Sequence, residues 1–555
     1  MKNTMSPWER FIGLLQLDKR DLKHIFYYAL TAGIVALSLP LGIQAIINLI
    51  QGAQISSSWI VLVVLVTMGV AFQGALQLMQ IRILESIQQK IFTRSSFEFA
   101  YRFPKIKTSE LHNYYPPELA NRFFDTLTVQ KGLSKILIDF PAAVLQIIFG
   151  IILLSFYHSF FIIYGILLIL LIYIVFKFTA QKGLETSLKE SKNKYKVAHW
   201  LQEIARSVVS FKLSGKTSLA MDRNDKLTTS YLVARESHFR VLVLQFIQMI
   251  GFKILVTAGL LVIGGLLVIN QQMNIGQFVA AEIIILLVIT SVEKLITGLE
   301  TFYDVLTSLE KIGQVVDKKL EPQDGINPFA NPQPLKVELE HVHYTTSDGM
   351  DILKDINLSI GKQERILLEG TTGSGKTTLL KLVSGLIYPT KGSLYINENS
   401  IKGIWPNKYR RKIGQVLPEQ HPFEGTILEN ITFGDPEITI TRVNEVCKNL
   451  GLLSFIKEQP KGLKTKLYSE GKQIPYTIAK RIVLARAIVH EPELLLLKDP
   501  LEHFETQDSK EIITYLTHNE QPWSIIVSSR NAMWRRYCTQ TIKMTNGTIK
   551  TTTNA

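Results

Sequence analysis

The chain has 555 residues, 46% of them hydrophobic and 19% charged, with a net charge of +14 and two cysteines. That length allows two or three domains. A charge of +14 would suggest nucleic acid in a soluble protein, but no aromatic-interleaved basic patch or zinc spacing accompanies it, which excludes that class. Cys447 and Cys538 match no metal or redox spacing and read as reduced, structural thiols.

Residues 1–24 form a charged, amphipathic leader carrying Trp8, Phe11, Leu14 and Leu15, which predicts a helix lying on a membrane surface. It has no small-residue cleavage site and does not read as a signal peptide. Six apolar stretches follow, near 25–50, 58–82, 138–157, 160–178, 241–269 and 277–299. Each is close to the ~20 residues a helix needs to cross a bilayer. The segments Gln51–Ser57, Tyr157–Ser159 and Asn270–Gly276 contain no Lys or Arg, whereas the N-terminus and the connections 83–137 and 179–240 contain many. The positive-inside rule then places both termini and both long connections in the cytosol, and this asymmetry accounts for most of the net charge.

Helical periodicity runs through both long connections. It is interrupted at Tyr114-Tyr-Pro-Pro117 and at Leu213-Ser-Gly-Lys216, which predict turns at their tips. The predicted organisation is a leader over 1–24, a six-helix membrane domain over 25–319, a Pro-rich linker over 320–335 and a cytosolic α/β domain over 336–555. The linker holds Pro322, Pro328, Pro332 and Pro334. Within the spans, Gln44, Asn48, Gln73, Gln77 and Glu282 are polar. Ionisable groups in spans usually face a bundle interior or a water path. Glu282 reads equally as a cavity-lining group or as a polar contact between helices.

In the C-terminal part, Arg365–Glu369 is a short apolar strand and a helical pattern begins at Thr378. Between them, Gly370-Thr371-Thr372-Gly373-Ser374-Gly375-Lys376-Thr377 fits G-x-x-x-x-G-K-[ST]. Such glycines turn backbone N–H groups toward phosphate oxygens, and the helix N-terminus adds partial positive charge. Gly370 to Thr378 are therefore the candidate phosphate-binding residues. Lys376 would reach the phosphates and Thr377 would be the magnesium ligand.

Six spans, long cytosolic extensions and this loop together resemble an ATP-binding cassette (ABC) exporter half-transporter over nearly the whole chain. Phe423–Gly434 ("FEGTILENITFG") resembles the stretch after the family's Q-loop, and Ala479–Leu497 resembles the helix and strand before its Walker B acid. "LSLPLGIQAIIN" (Leu37–Asn48) is similar to haemolysin-type secretion exporters, whose frequent N-terminal peptidase domain is predicted to be absent here. The resemblance implies ATP as ligand and a partner cassette, from a second copy or a related half-transporter. It also implies a bacterial-type inner membrane with lipid around the spans, and admits a periplasmic adaptor of the secretion type.

The family's functional positions carry over by spacing, with Arg481, Ala485, Arg486 and Pro492 fixing the frame, and most are altered. The signature falls on Ile474-Pro-Tyr-Thr-Ile478. Pro475 lacks an N–H, and Tyr476 is bulky where glycine permits close approach. Lys498 stands at the magnesium aspartate, and Asp499, one methylene short, at the catalytic glutamate. An ammonium ~4–5 Å from a divalent ion, at an effective dielectric of about 20, is repelled by on the order of 5–10 kcal/mol. Magnesium is therefore left open. Ser529 replaces the histidine, and Pro418 the Q-loop glutamine, with Gln420 two positions later. Tyr344 is the candidate to stack on adenine, with Thr346 the alternative. Two readings of Lys498 stand: its ammonium takes the place of magnesium, or it faces solvent at the strand end. Two functions stand as well. One is an export subunit for a peptide, protein or lipid, with weak or absent hydrolysis. The other is a non-hydrolysing pseudo-transporter that senses nucleotide as a scaffold or regulator.

Overall fold

The computed structural model describes residues 5–51, 57–112, 114–330 and 333–554. Most of the first outer loop and Pro332 of the linker lie outside the described residues. The chain divides into two compact units, Met1–Lys105 with Asn113–Lys318, and Ile106–His112 with Lys319–Ala555.

The first unit is helical. It contains α1 (Pro7–Leu17), α2 (Lys19–Ala36), α3 (Ser38–Gln51) and α4 (Ser57–Arg102). After α5 (Thr108–Leu111), which clusters with the second unit, come α6 (Pro116–Ala120), α7 (Asp125–Ser134), α8 (Phe140–Tyr157), α9 (Phe160–Arg206), α10 (Val208–Leu213), α11 (Leu219–Ile269) and α12 (Ile275–Val316). Six stretches of these helices are long and apolar enough to cross a membrane. The first is broken between α2 and α3, where Pro40 in the first turn of α3 has no N–H to continue the ladder. Helix α9 ends at Arg206, and α10 closes just before Gly215, whose φ of +69° turns the chain.

The leader is helical. A Ser6 capping box starts α1: Ser6 Oγ accepts from Glu9 N, and the Glu9 carboxylate accepts from Ser6 N. Phe11 is 4% exposed and meets the Phe302 ring of α12 edge-on at 5.4 Å. The Arg10 guanidinium pairs with Asp317, with Glu310 also close. Phe11 is thus packed on protein, while Trp8, Ile12 and Leu17 stay exposed.

Polar groups at membrane depth are used between helices, as a low-dielectric interior requires. Tyr157 donates to Gln44 Oε1 at 2.7 Å. Gln245 of α11 donates to Thr179 Oγ1 and to the Tyr303 hydroxyl, each at 3.0 Å, and Gln80 donates to the Ile25 carbonyl at 3.3 Å. Lys253 and Glu293 pair at 2.9 Å. Glu282 is half-buried on α12, and Gln77 is exposed.

The second unit holds strands β1 (Val337–Thr345), β2 (Asp351–Ile360), β3 (Arg365–Gly370), β4 (Lys391–Ile396), β5 (Asn399–Ser400), β6 (Ile413–Val416), β7 (Gly425–Thr426), β8 (Lys466–Leu467), β9 (Leu494–Lys498), β10 (Ser524–Ser528), β11 (Gln540–Thr545) and β12 (Thr548–Asn554). One sheet is antiparallel, in the order β2-β1-β4-β5. The larger sheet runs β12-β11-β3-β10-β9-β6, parallel except for the β11–β12 hairpin. Leu494–Leu497 are each at most 1% exposed, the signature of a strand covered on both faces. Helices α13 (Lys376–Val383), α14 (Pro406–Arg410), α15 (Ile427–Thr432), α16 (Ile440–Asn449), α17 (Leu453–Glu458), α18 (Tyr476–Ile488) and α19 (Thr506–Leu516) complete the α/β unit.

The segment read as a linker is held against this unit. Glu321, 7% exposed, accepts both guanidinium N–H groups of Arg410 at 2.6 and 2.8 Å, and Ile326 forms a bridge with Ile404.

Candidate nucleotide site

The register of the parallel sheet brings the candidate residues together. Ser528 pairs with Lys498, and β3 runs beside β10 on the other side. Gly370, Ser528 and Lys498 therefore end three adjacent strands at one edge, the carboxyl edge where open α/β sheets bind ligands. A cavity of about 550 Å³ opens there, lined by Gly370, Thr372–Thr378, Lys498, Ser528, Ser529 and Arg530, with Ile352, Leu368 and Glu369 at its side.

The phosphate loop has the backbone its sequence requires. Gly370, Gly373 and Gly375 have φ of +143°, +83° and +95°, and Gly375 caps α13. A Cβ on Gly370 would lie 2.2 Å from the Met544 carbonyl oxygen, so only glycine fits. Lys376 Nζ donates to the carbonyls of Gly370 and Thr371 at 2.8 and 2.7 Å and to Ser374 Oγ at 3.0 Å. Thr371 contributes that carbonyl, while the rest of the loop lines the cavity. Burial, and then the neighbouring Lys498 ammonium, push Lys376 below the usual lysine range, against an opposing pull from Asp499.

Lys498 points into this cavity rather than to solvent: its side chain is 18% exposed and lines the wall. It pairs with Asp499, whose Oδ1 also accepts from the Arg530 N–H at 3.3 Å. Asp499 sits at φ +43° and is not among the lining residues. In this structure its carboxylate is engaged by Lys498 and the Arg530 N–H. Arg530 Nη2 lies 3.4 Å from Thr372 Oγ1. Ser528 is fully buried, lines the cavity, and its hydroxyl has no hydrogen-bond partner. Neither residue stands out in the sequence. Arg530 follows the altered histidine position directly, and that adjacency is the one signal that could have found it.

Other sequence candidates are not brought to the cavity. Tyr344 is half-buried against the core of the antiparallel sheet and pairs across it with Leu353, and Ile352 supplies the apolar wall instead. Thr346 is taken up in its own turn, accepting from Met350 N at 3.1 Å. Gln420 folds back, its Oε1 accepting from Leu417 N at 2.9 Å, and Pro418 is exposed. Ser529 remains at the cavity, its Oγ accepting from Asn531 N at 3.1 Å.

The segment Ile474–Ile478 opens α18. Pro475 caps α18 without a side-chain bond, and Tyr476 is 46% exposed, its hydroxyl donating to Glu502 at 3.1 Å. The ring stands over the helix start that small residues would leave open. The surrounding scaffold is intact. Arg481 donates to the Leu450 carbonyl at 2.7 Å and pairs with Asp508. Arg486, pushed down to about 10 by burial, donates to the Asn430 carbonyl at 2.7 Å and so fixes the stretch Phe423–Gly434.

The donor set does not fit magnesium. Thr377 offers one hydroxyl, Asp499 is tied to Lys498, and the end of β9 brings a cation to the cavity instead of an oxygen ligand. No cluster of three His, Cys, Asp or Glu residues able to hold a metal occurs among the described residues.

The family described as ABC transporter matches residues 353–502. The chain is 28% identical over 331 residues to the alpha-hemolysin translocation ATP-binding protein HlyB of Escherichia coli O157:H7, covering 59% of this chain and 46% of that protein. It is 30% identical over 207 residues to the ABC transporter ATP-binding protein YfiC of Bacillus subtilis, covering 37% and 34%. These matches span less than half the length of either relative. In three dimensions it resembles a bacterial Atm1-family ABC exporter solved with ATP bound, with a TM-score of 0.85 at 15% identity, over 97% of this chain and 95% of that one. The likeness shows the fold: six membrane-capable helices followed by an α/β cassette. Residues 353–502 thus match the ABC transporter family, and the chain as a whole shares the fold of an ABC exporter.

Proposed function

We propose that this chain is an export-type ABC transporter subunit that binds ATP through Gly370–Thr378 and couples binding to outward movement of a peptide, protein or lipid. Hydrolysis in this chain is weak or absent. The observation that carries the reading is the complete phosphate loop, with Gly375 opening α13 at the carboxyl edge of the sheet. The loop's N–H groups and Lys376 would hold the phosphates, and Ile352 would face the base. The same subunit works as a dimer, with a second copy or a related half-transporter supplying the opposite cassette. Both termini lie in the cytosol of a bacterial-type inner membrane, and a periplasmic adaptor is an admissible further partner.

Lys376→Ala removes a charge-assisted phosphate contact, and such contacts contribute ~1.5–3 kcal/mol. ATP affinity of the full-length protein, measured by equilibrium titration, is expected to fall by roughly tenfold to a hundredfold. Unchanged affinity would defeat the assignment.

Pro475 and Tyr476 favour a second reading, the non-hydrolysing scaffold or regulator. A partner with intact motifs would still face this altered signature across its own phosphate loop. Transport by the assembled dimer in vesicles separates the two. ATP-dependent substrate movement supports the exporter, and ligand-dependent conformational change without movement supports the regulator.

A further inference from the structure

Three cations converge on the cavity. Lys376 rises from the loop, Lys498 from the end of β9, and Arg530 from the segment after β10. Each comes from a different element, so the positive charge is a property of the sheet edge and not of one flexible tail. A polyphosphate binds such a set through charge-assisted hydrogen bonds. The only carboxylate beside Lys498 in the described pairings is Asp499, which also accepts from the Arg530 backbone and so holds both cationic residues in place. The glutamate on the cavity wall, Glu369, is bound by Arg535 at 2.5 and 2.8 Å and is withdrawn from metal binding. Finally, the Ser528 hydroxyl is buried at the cavity wall with no partner. A buried hydroxyl without a bond is costly and calls for a ligand atom.

We infer that the cassette takes the metal-free nucleoside triphosphate, with Lys498 and Arg530 neutralising the phosphates in the place of magnesium and the Ser528 hydroxyl contacting the same ligand. This rests on the proposed nucleotide-binding reading. Lys498 exchanges part of its pairing with Asp499 for the phosphate oxygens, and a magnesium ion on those oxygens competes with it. Free triphosphate therefore binds at least as well as its magnesium complex.

The test is equilibrium titration of the full-length protein with ATP, in excess EDTA and in excess magnesium. Wild type is expected to bind in EDTA with an affinity equal to or higher than in magnesium. Lys498→Gln is expected to lose about tenfold in EDTA, the scale of one charge-assisted hydrogen bond. Lys498→Asp is expected to bind only with magnesium, because its carboxylate beside Thr377 supplies hard oxygen ligands. Wild-type binding that needs magnesium overturns the inference while leaving the nucleotide reading intact. Lys498 variants that bind like wild type in EDTA also overturn it. Absence of binding in both conditions overturns the nucleotide reading itself, and this inference with it. Should a variant fail to fold, the wild-type comparison alone decides.

Discussion

Full-length protein purified alone and supplied with ATP and magnesium is expected to turn over at ~0.01 per second or less, against the roughly 1 to 1,000 per second of ordinary enzymes. The estimate follows from what each position has lost. A metal ion polarises the phosphoryl oxygens and is worth several kcal/mol of transition-state charge stabilisation; the end of β9 offers the ammonium of Lys498 at the cavity instead of a carboxylate ligand. Asp499 is the nearest acid to the base position, but it is paired to Lys498 and held by the Arg530 N–H. A displacement of ~1 Å from the reacting geometry already costs about 100-fold. Ser529 holds no imidazole, and α18 starts with Pro475, which has no N–H, and the bulky Tyr476. These losses fall on separate elements, so a single reverting substitution restores little. A homodimer turning over at about 1 per second or faster, in a coupled phosphate-release assay, would refute this reading.

The second large effect is expected at Gly370. It ends β3, lies opposite Met544 in β11, and has φ +143°. In Gly370→Ala the new Cβ would sit 2.2 Å from the Met544 carbonyl oxygen and 2.8 Å from Ser374 Oγ. The backbone cannot relax outward, because β3 lies between β10 and β11. Backbone strain at such an angle costs ~1–3 kcal/mol, and forcing the methyl group against the Met544 carbonyl adds ~1–3 kcal/mol. The substitution should lower cassette stability by about 2–5 kcal/mol and abolish ATP binding by tilting the loop. Thermal unfolding and nucleotide titration of the same preparation check both effects. Gly373→Ala is the control: its φ of +83° is strained as well, but a Cβ there meets nothing within 4 Å, so its effect should be confined to the loop.

The phosphate loop was legible in the sequence because its chemistry is local: the glycines, the lysine and the flanking strand and helix lie within one short run. The end of β9 was legible for the same reason, since a run of buried leucines stops at a charge. What the sequence could not convey was side-chain direction. Tyr344 and Ile352 lie on paired strands, and spacing alone does not tell which of them faces the cavity. Gln420 lies near the right place but bonds to its own turn. Ser528 reads as another strand residue until the strands on either side bury it. In the first unit, Gln80 and Gln245 went unnoticed because their partners lie far off in sequence, Gln80 bonding to Ile25 and Gln245 to Thr179 and Tyr303. The contact of Phe11 with Phe302 was hidden for the same reason, since the two lie far apart in sequence.

The central claim is that the cassette holds ATP without cleaving it, and analysis of the bound nucleotide tests this most directly. Full-length protein is incubated with labelled ATP, separated from free nucleotide, quenched and analysed for the label it carries. The account predicts that the bound label is recovered as ATP after minutes of incubation, and that Lys376→Ala carries far less. Recovery chiefly as ADP from protein free of contaminating ATPase would contradict it.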